Sequence, residues 1–530
     1  MSHAERATHH PQRASPARDY HERTKHSLVD GGDSRRLDWA NKPLPYKLYT
    51  RLNTISLPRE WYEAAVPAAK VLSGEPSPTD RPLDLSGLAR LLFLSAGVTR
   101  RREAGPDTAF FRAAPSAGAL YPVEVYVVCG GLLDLPAGLY HFEPVEFVLR
   151  RLRRGDVRSP LAKAAAEPEI ATCVVTVVLT GIPWRTTWKY GARGYRHLYW
   201  DAGAILANLL SAAAPAGLAA RVLAGFVDAE IAHLLGVDSP RQPFREFPLA
   251  IAPLGPAAPR PPPGVEPPGL ELDVVPLSPQ HVDEPELLAV HAAGTLESEA
   301  AVASWRQSLA QVSSPSASPE VKPPPAASRT LDEVVLRRGS TRRFARTSVP
   351  QVSLEWGMAV ASSAVPADFL MGGGTLLDHL LIVHAVDGID AGAYRWTSEG
   401  LELVRGGGFR DEAARLCLDQ ALGGDGAFTV FECAGLEPLL DAAGARAYRA
   451  AQLEAGIAAE RLQLAAFALD IGGSGLTFYD DDVRRFFGVQ AEPMLTVAIG
   501  APDYEASPGK PPSQSPPGLP ERWGRSGPWT

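Results

Sequence analysis

The chain repeats itself. Gly191-Ala192-Arg193-Gly194-Tyr195-Arg196 returns 253 residues later as Gly444-Ala445-Arg446-Ala447-Tyr448-Arg449, and Ala137-Gly138-Leu139-Tyr140 returns at 254 as Ala391-Gly392-Ala393-Tyr394. Phe226 and Asp228 match Phe478 and Asp480 at 252, and Pro248 through Gly255 matches Pro493 through Gly500 at 245. Chance matches would scatter, whereas these keep one order with small gaps. Two segments, 86–258 and 329–504, therefore read as copies of one fold. The repeat constrains the answer more than length does, because 530 residues would otherwise suit three or four domains.

Composition changes around the copies. Residues 1–85 form an N-terminal arm whose polar beginning is expected to be disordered. Residues 259–328 form a Pro-rich linker (PRPPPGVEPP, then SSPSASPEVKPPPAAS), with an apolar stretch from Leu270 to Leu296 that has room for a strand and a short helix. Residues 505–530 read as a disordered tail. Inside the copies, Val123 to Val128 and Val174 to Leu179 are β-branched runs of strand length, and PLAIAPLG and PMLTVAIG close each copy as strands. Asp201 to Leu210 and Ala445 to Leu469 carry apolar residues at helical spacing. Asp228 and Asp480 stand where helix N-caps belong, each before an apolar turn that ends in Gly. The fold class is α+β, made twice.

Charge and cysteine usage exclude several classes. A net charge of −8 gives no global attraction to nucleic acid or anionic lipid, so neither is expected as a partner. The four Cys form no close pair, and no metal site is expected. The most apolar run, Cys173 to Ile182, is too short to span a bilayer, and the first residues lack a secretory apolar core. The expectation is a cytoplasmic protein with reduced thiols. His21 and His26 are five apart, which does not place two ligands on one helix face. Walker, Rossmann and nucleophile-elbow patterns are missing from the sequence.

Three segments carry chemistry. Arg112 to Pro122 contains Pro115-Ser116-Ala117-Gly118, small residues that let backbone approach a flat ligand. Arg337-Arg338-Gly339-Ser340-Thr341-Arg342-Arg343 suits a phosphate, because guanidinium groups bind phosphate bidentately, and the first copy has no equivalent. Trp188-Lys189-Tyr190-Gly191-Ala192-Arg193 sets a Lys beside a phenol. Lysine is scarce here, with eight in the chain, and Lys189 is the only one between 163 and 322. Burial or a neighbouring cation can bring either pKa toward neutrality and let the pair move protons.

Together, PSAGALYP, WKYGARGYR with DAG after it, and LAGF-x-D resemble the SagB-type peptide dehydrogenases, a branch of the FMN-dependent nitroreductase superfamily. RRGSTRRF and GLTFYDDDVRRFFG bring the second copy into the same superfamily. The resemblance implies two tandem nitroreductase-like domains forming an intramolecular pseudo-dimer, so that a monomer does the work of a dimer. It implies FMN at the seam, its phosphate held by Arg338, Ser340 and Arg342, and its ring lying against Pro115, Ser116, Ala117 and Gly118. Backbone N–H groups would face the ring at Ala224-Gly225 in one copy and Leu476-Thr477 in the other. Copy two has Met371-Gly-Gly-Gly374 in place of the Pro-Ser segment, so one complete site and one degenerate site are expected.

Lys189 and Tyr190 match the family's proton-transfer pair, with Arg193 as a supporting charge. The implied reaction oxidises azolines in a peptide to azoles, with dioxygen reoxidising the flavin and a cyclodehydratase as possible partner. The alternatives are an NAD(P)H-dependent nitro- or quinone-reductase acting on a small molecule, and a non-catalytic member of a peptide-modifying complex.

Overall fold

The β-branched runs of both copies become central strands of two sheets that share one topology. In this computed structural model the described residues are 15–27, 36–63, 65–75, 81–104, 107–257, 259–261, 267–315, 319–324 and 327–514. From edge to edge the first sheet runs Val148–Arg154, Gly138–Glu143, Val123–Cys129, Cys173–Gly181, Phe247–Ala257, Ala219–Ala220. The second runs Gly400–Gly406, Gly392–Thr397, Leu377–Val383, Phe428–Ala434, Glu492–Gly500, Gly472–Leu476, the same order with corresponding strands. Neighbouring strands are antiparallel throughout. The arm adds Thr54–Ser56 at the outer edge of the first sheet, opposite Arg150 to Val148.

Each copy contributes one long buried helix to the seam. These central helices, Gly194–Ala213 and Ala445–Ala468, pack directly on each other. They meet at a repeated residue. A Cβ on Gly203 would lie 2.5 Å from the Leu453 carbonyl oxygen, and one on Gly456 would lie 2.6 Å from that of Trp200. Only glycine permits so close an approach of two backbones.

The repeated Arg and Asp residues pair across the seam rather than within a copy. Arg193 and Arg196 donate to the Asp480 carboxylate at 3.0 and 2.7 Å, and Arg446 and Arg449 donate to Asp228. All six residues are buried. The two Asp are therefore not N-caps. Each is the first residue of its helix, Asp228–Leu235 or Asp480–Phe487, with its carboxylate drawn away to the arginines. Burial alone would push Asp480 up, but Arg193 and Arg196 hold it far below the usual carboxylate range.

The repeat also extends further than its sequence shows. The helix Ser15–Arg23 of the arm and the helix Pro285–Ala293 of the linker take equivalent places. Arg193 donates to the Thr24 carbonyl at 2.6 Å and Arg446 to that of Gly294 at 3.1 Å. The His26 and Leu296 N–H groups each donate to the seam Asp, Asp480 or Asp228, at 2.9 Å. Three boundary readings change accordingly. Residues 15–27 are ordered against the seam, while 1–14 and 28–35 lie outside the described residues. The 259–328 segment holds two helices, Pro285–Ala293 and Glu299–Ala310, and so is not simply a linker. The tail docks through residue 514, with the Gly509 N–H on Leu336 O at 2.6 Å and the Lys510 N–H on Thr99 O at 2.8 Å. Its remainder, 515–530, lies outside the described residues.

Replacing Asp480 by Ala strands two buried guanidinium groups. The loss should be about 3–5 kcal/mol of unfolding free energy in a urea titration, the usual cost of breaking a buried ion pair from one side. A loss near zero would show that the seam does not depend on this pair.

Candidate active site

The helix Pro183–Tyr190 starts on a proline at its first position and stops at Gly191, whose φ is +55°. It ends with Lys189 and Tyr190 facing a turn of the same copy. Arg185, fully buried in this helix, donates to the Tyr121 carbonyl at 2.9 Å and to the Glu124 carboxylate at 2.5 Å, which ties the helix to that turn. In the turn, Ser116 Oγ accepts the Tyr121 N–H at 2.8 Å, and Gly118 sits at φ +65°. A Cβ on Gly118 would lie 2.8 Å from Tyr190 OH and 3.0 Å from Lys189 Nζ, so the glycine is required by both conformation and space. Ala119 and Tyr121 also hold left-handed backbone, at φ +54° and +47°. Each costs on the order of 1 kcal/mol, so this is stored strain beside the pair.

The second copy supplies the opposite wall. Its helix Leu331–Arg337, started by a capping box between Thr330 and Glu333, delivers the Arg-rich segment to the seam. The Thr341 N–H bonds Gly473 O at 2.9 Å and the Arg342 N–H bonds Tyr504 OH at 3.1 Å. Arg100 of the first copy crosses to the carbonyls of Leu336 and Arg338, each at 2.8 Å. Arg338 crosses back, its Nε donating to Ala113 O at 2.9 Å. It therefore braces the seam as well as facing the space within it.

That space is a cavity of about 1120 Å³. It brings together Pro115, Ser116, Ala117, Gly118, Lys189 and Tyr190 from the first copy with Arg338, Ser340 and Arg342 from the second. Leu476 and Thr477 also line it. Gly225 does not. Its N–H donates to Asp368 Oδ2 at 3.0 Å, the Ala224 N–H donates to Asp368 Oδ1 at 2.8 Å, and the Trp305 ring lies 3.0 Å from where a Gly225 Cβ would stand. Arg306 closes this pseudo-equivalent seam, donating to Asp368 at 2.8 Å and to the Gly225 carbonyl at 3.0 Å. The helix Glu299–Ala310, which carries Trp305 and Arg306, is the wedge that the linker reading missed.

Burial and a nearby ammonium, that of Lys42, lower the Lys189 pKa. Tyr190 goes the other way: burial and the Asp201 charge raise it, so it stays a phenol. Either pKa could move toward neutrality; that of Lys189 does and that of Tyr190 does not. Its ring stacks on His197, with centroids 4.2 Å apart and planes 8° apart. Burial and the Arg193 charge hold His197 at about 3, so this imidazole is neutral. Arg193 is committed to Asp480, which makes it a seam residue first. Sequence reading missed His197, Asp201 and Glu460. All three are polar residues on buried helices, and only the DAG triplet around Asp201 had been noticed at all.

Several polar atoms in the cavity have no hydrogen-bond partner among the described residues: Asp201 Oδ2, Gln463 Oε1, and Nε and Nη2 of Arg193. Buried orphans of this kind ask for a ligand. A polar lining with Arg and Ser at one end and a small-residue turn against the pair fits a phosphate-bearing planar cofactor such as FMN.

Residues 80–255 match the Nitroreductase family. A nitroreductase homologue of Methanocaldococcus jannaschii is 31% identical over 175 residues, covering 33% of this chain and 81% of that protein. The chain belongs to the nitroreductase family. The microcin B17-processing protein McbC of Escherichia coli is 28% identical over 130 residues, 23% of this chain and 48% of that one, which supports the SagB-type branch. A nitroreductase homologue from Anabaena variabilis has a solved structure with a TM-score of 0.70 at 26% identity. It covers 92% of this chain and 99% of its own, so the likeness takes in both copies. This nitroreductase-family oxidoreductase has, among its described residues, no helix long and apolar enough to cross a membrane.

The neutral His197 fixes a sign. The unfolded chain binds a proton at this residue below about pH 6.5, and the folded chain does not until about 3. Stability must therefore fall as pH drops through that window. His197→Phe, which keeps the stack, should flatten the decline by about 1.4 kcal/mol per pH unit in urea titrations between those limits. An unchanged slope would show that His197 is not the group responsible.

Proposed function

We propose that this protein is an FMN-dependent dehydrogenase of the SagB type that oxidises azoline rings to azoles in a peptide. The observation that carries the reading is the contact of Gly118 with Lys189 and Tyr190 inside the seam cavity that also holds Ser340 and Arg342. Ser340 and Arg342 would hold the phosphate, and the Pro115–Gly118 turn would lie against the ring. FMN, when bound, supplies a two-electron oxidant, and the protein supplies placement and proton handling.

An azoline C–H is acidified by the adjacent C=N. Lys189, with its pKa lowered and no carboxylate pairing it among the described residues, is the base for that proton. Tyr190 stays protonated and donates a hydrogen bond beside it. The partial likeness to McbC supports a peptide substrate, which needs a cyclodehydratase upstream to form the azoline. The wedge of Trp305, Arg306 and Asp368 in the other seam supports one FMN per chain.

Two measurements test this. Purified chain should carry one FMN by absorbance, and two per chain would contradict the reading of a closed second seam. Lys189→Ala combined with Tyr190→Phe should keep its flavin yet lose azoline oxidation by about 10²-fold or more. If NADPH bleaches the flavin rapidly while azoline peptides do not, the reductase reading takes its place.

A further inference from the structure

Asp201 lies on the first central helix, one turn beyond His197, and is 6% exposed. Its Oδ1 accepts the Ala117 N–H at 3.4 Å and the Ser116 hydroxyl also bonds the carboxyl, holding the Pro115–Gly118 turn from behind. Its Oδ2 is buried at the cavity with no hydrogen-bond partner among the described residues. The repeat supplies a control within the same molecule. Asp201 corresponds to Glu454, 253 residues later, which also holds the chain ahead of the matching strand of its own copy. Glu454 Oε1 accepts the Thr375 hydroxyl at 2.6 Å and Oε2 accepts the Leu376 N–H at 2.9 Å. Tethering therefore uses both oxygens on the second central helix and only one on the first.

A buried acceptor is costly to leave without a donor, and this one borders the cavity, where a bound molecule can supply that donor. We propose that Asp201 is a catalytic residue of the open site, its Oδ2 accepting a hydrogen bond from an N–H or O–H group of the molecule bound against Lys189 and Tyr190. The proposal rests on the flavin reading of the cavity and not on the azoline as substrate.

Arg112, Tyr121 and Tyr190 interact with this carboxyl, and Lys189 and His197 line the same cavity. Arg338 and Glu460 stand on the wall contributed by the second copy. Burial raises the Asp201 pKa to about 7, against the opposing pull of the Ser116 hydroxyl, the Ala117 N–H and Arg112. Burial likewise raises Glu460 to about 8, with Arg338 opposing.

The test is an absorbance titration of the FMN-loaded full chain from about pH 5 to about pH 9, without substrate. Native protein should show a flavin transition with a midpoint at or below about 7, because a donor on Oδ2 favours the ionised carboxylate. Asp201→Asn, which keeps an acceptor for the Ala117 N–H but cannot ionise, should lose that transition. Glu454→Gln, in the closed seam, should retain it. Ser116→Ala, which leaves the carboxyl in place and serves if the Asn variant does not fold, should move the midpoint upward. Azoline oxidation by Asp201→Asn should fall at least about tenfold. A transition that persists in Asp201→Asn, one that vanishes instead in Glu460→Gln, or none in native protein would each overturn the proposal. A chain that never oxidises azolines still reports on Asp201 through the titration, so the two readings fail separately.

Discussion

Two buried carboxylates decide how this molecule is put together. Asp228 and Asp480 each pair with two arginines of the other copy, and each also collects one N–H from a helix-ending segment outside the repeated sheets. Buried ion networks of this kind contribute little net stability, because the desolvation of four guanidinium groups and two carboxylates offsets their attraction. What they contribute is register. A slip of either central helix would strand charge in a dry interior, so Gly203 and Gly456 meet in one arrangement only.

That register brings the parts of the candidate site together at the seam. The turn at Gly118 and the helix ending in Tyr190 come from one copy and the segment from Arg338 to Arg342 from the other, so the cavity is lined by both. In a dimer of identical chains both seams would have to stay alike. Covalent tandem linkage removes that requirement, because each residue occurs once and can change at one seam only. The second seam has done so. Asp368 accepts the backbone N–H groups of Ala224 and Gly225, and Trp305 and Arg306 fill the remaining space, while the matching Leu476 and Thr477 still face an open cavity.

The parts legible in the sequence were those that the repeat wrote twice in similar letters. GARGYR and GARAYR, the paired Asp, and the β-branched runs located the second central helix and the named strands to within a few residues, and the first central helix only from Asp201 to Leu210 of Gly194–Ala213. What escaped was written once, or in different letters. The helices Ser15–Arg23 and Pro285–Ala293 do the same job through backbone carbonyls, which any residue type provides, so only His21 and His291 correspond between them. The wedge helix lay in a segment whose flanking prolines suggested extended chain, although Trp305 and Leu309 are buried. Gly225, like Leu476-Thr477, was placed by the family resemblance. Nothing local to its sequence could reveal that a carboxylate 143 residues away takes its N–H.

The scarcity of lysine acquires a physical meaning once the burial of each is known. Lys25 and Lys47 are packed into the protein against carboxylates: Lys47 Nζ lies 2.6 Å from Glu246, and Lys25 Nζ lies 2.9 Å from Asp481. Burial opposes both charges, yet the acidic partners more than compensate and raise both pKa values. Lys189 meets the reverse conditions. It is partly buried, it faces the ammonium of Lys42, and no carboxylate pairs with it among the described residues, so its pKa falls. One residue type thus serves two ends, a permanent charge inside an ion pair and an amine that can give up its proton at the cavity. The difference lies in the neighbours, which is why spacing along the chain could nominate Lys189 but not separate it from Lys47.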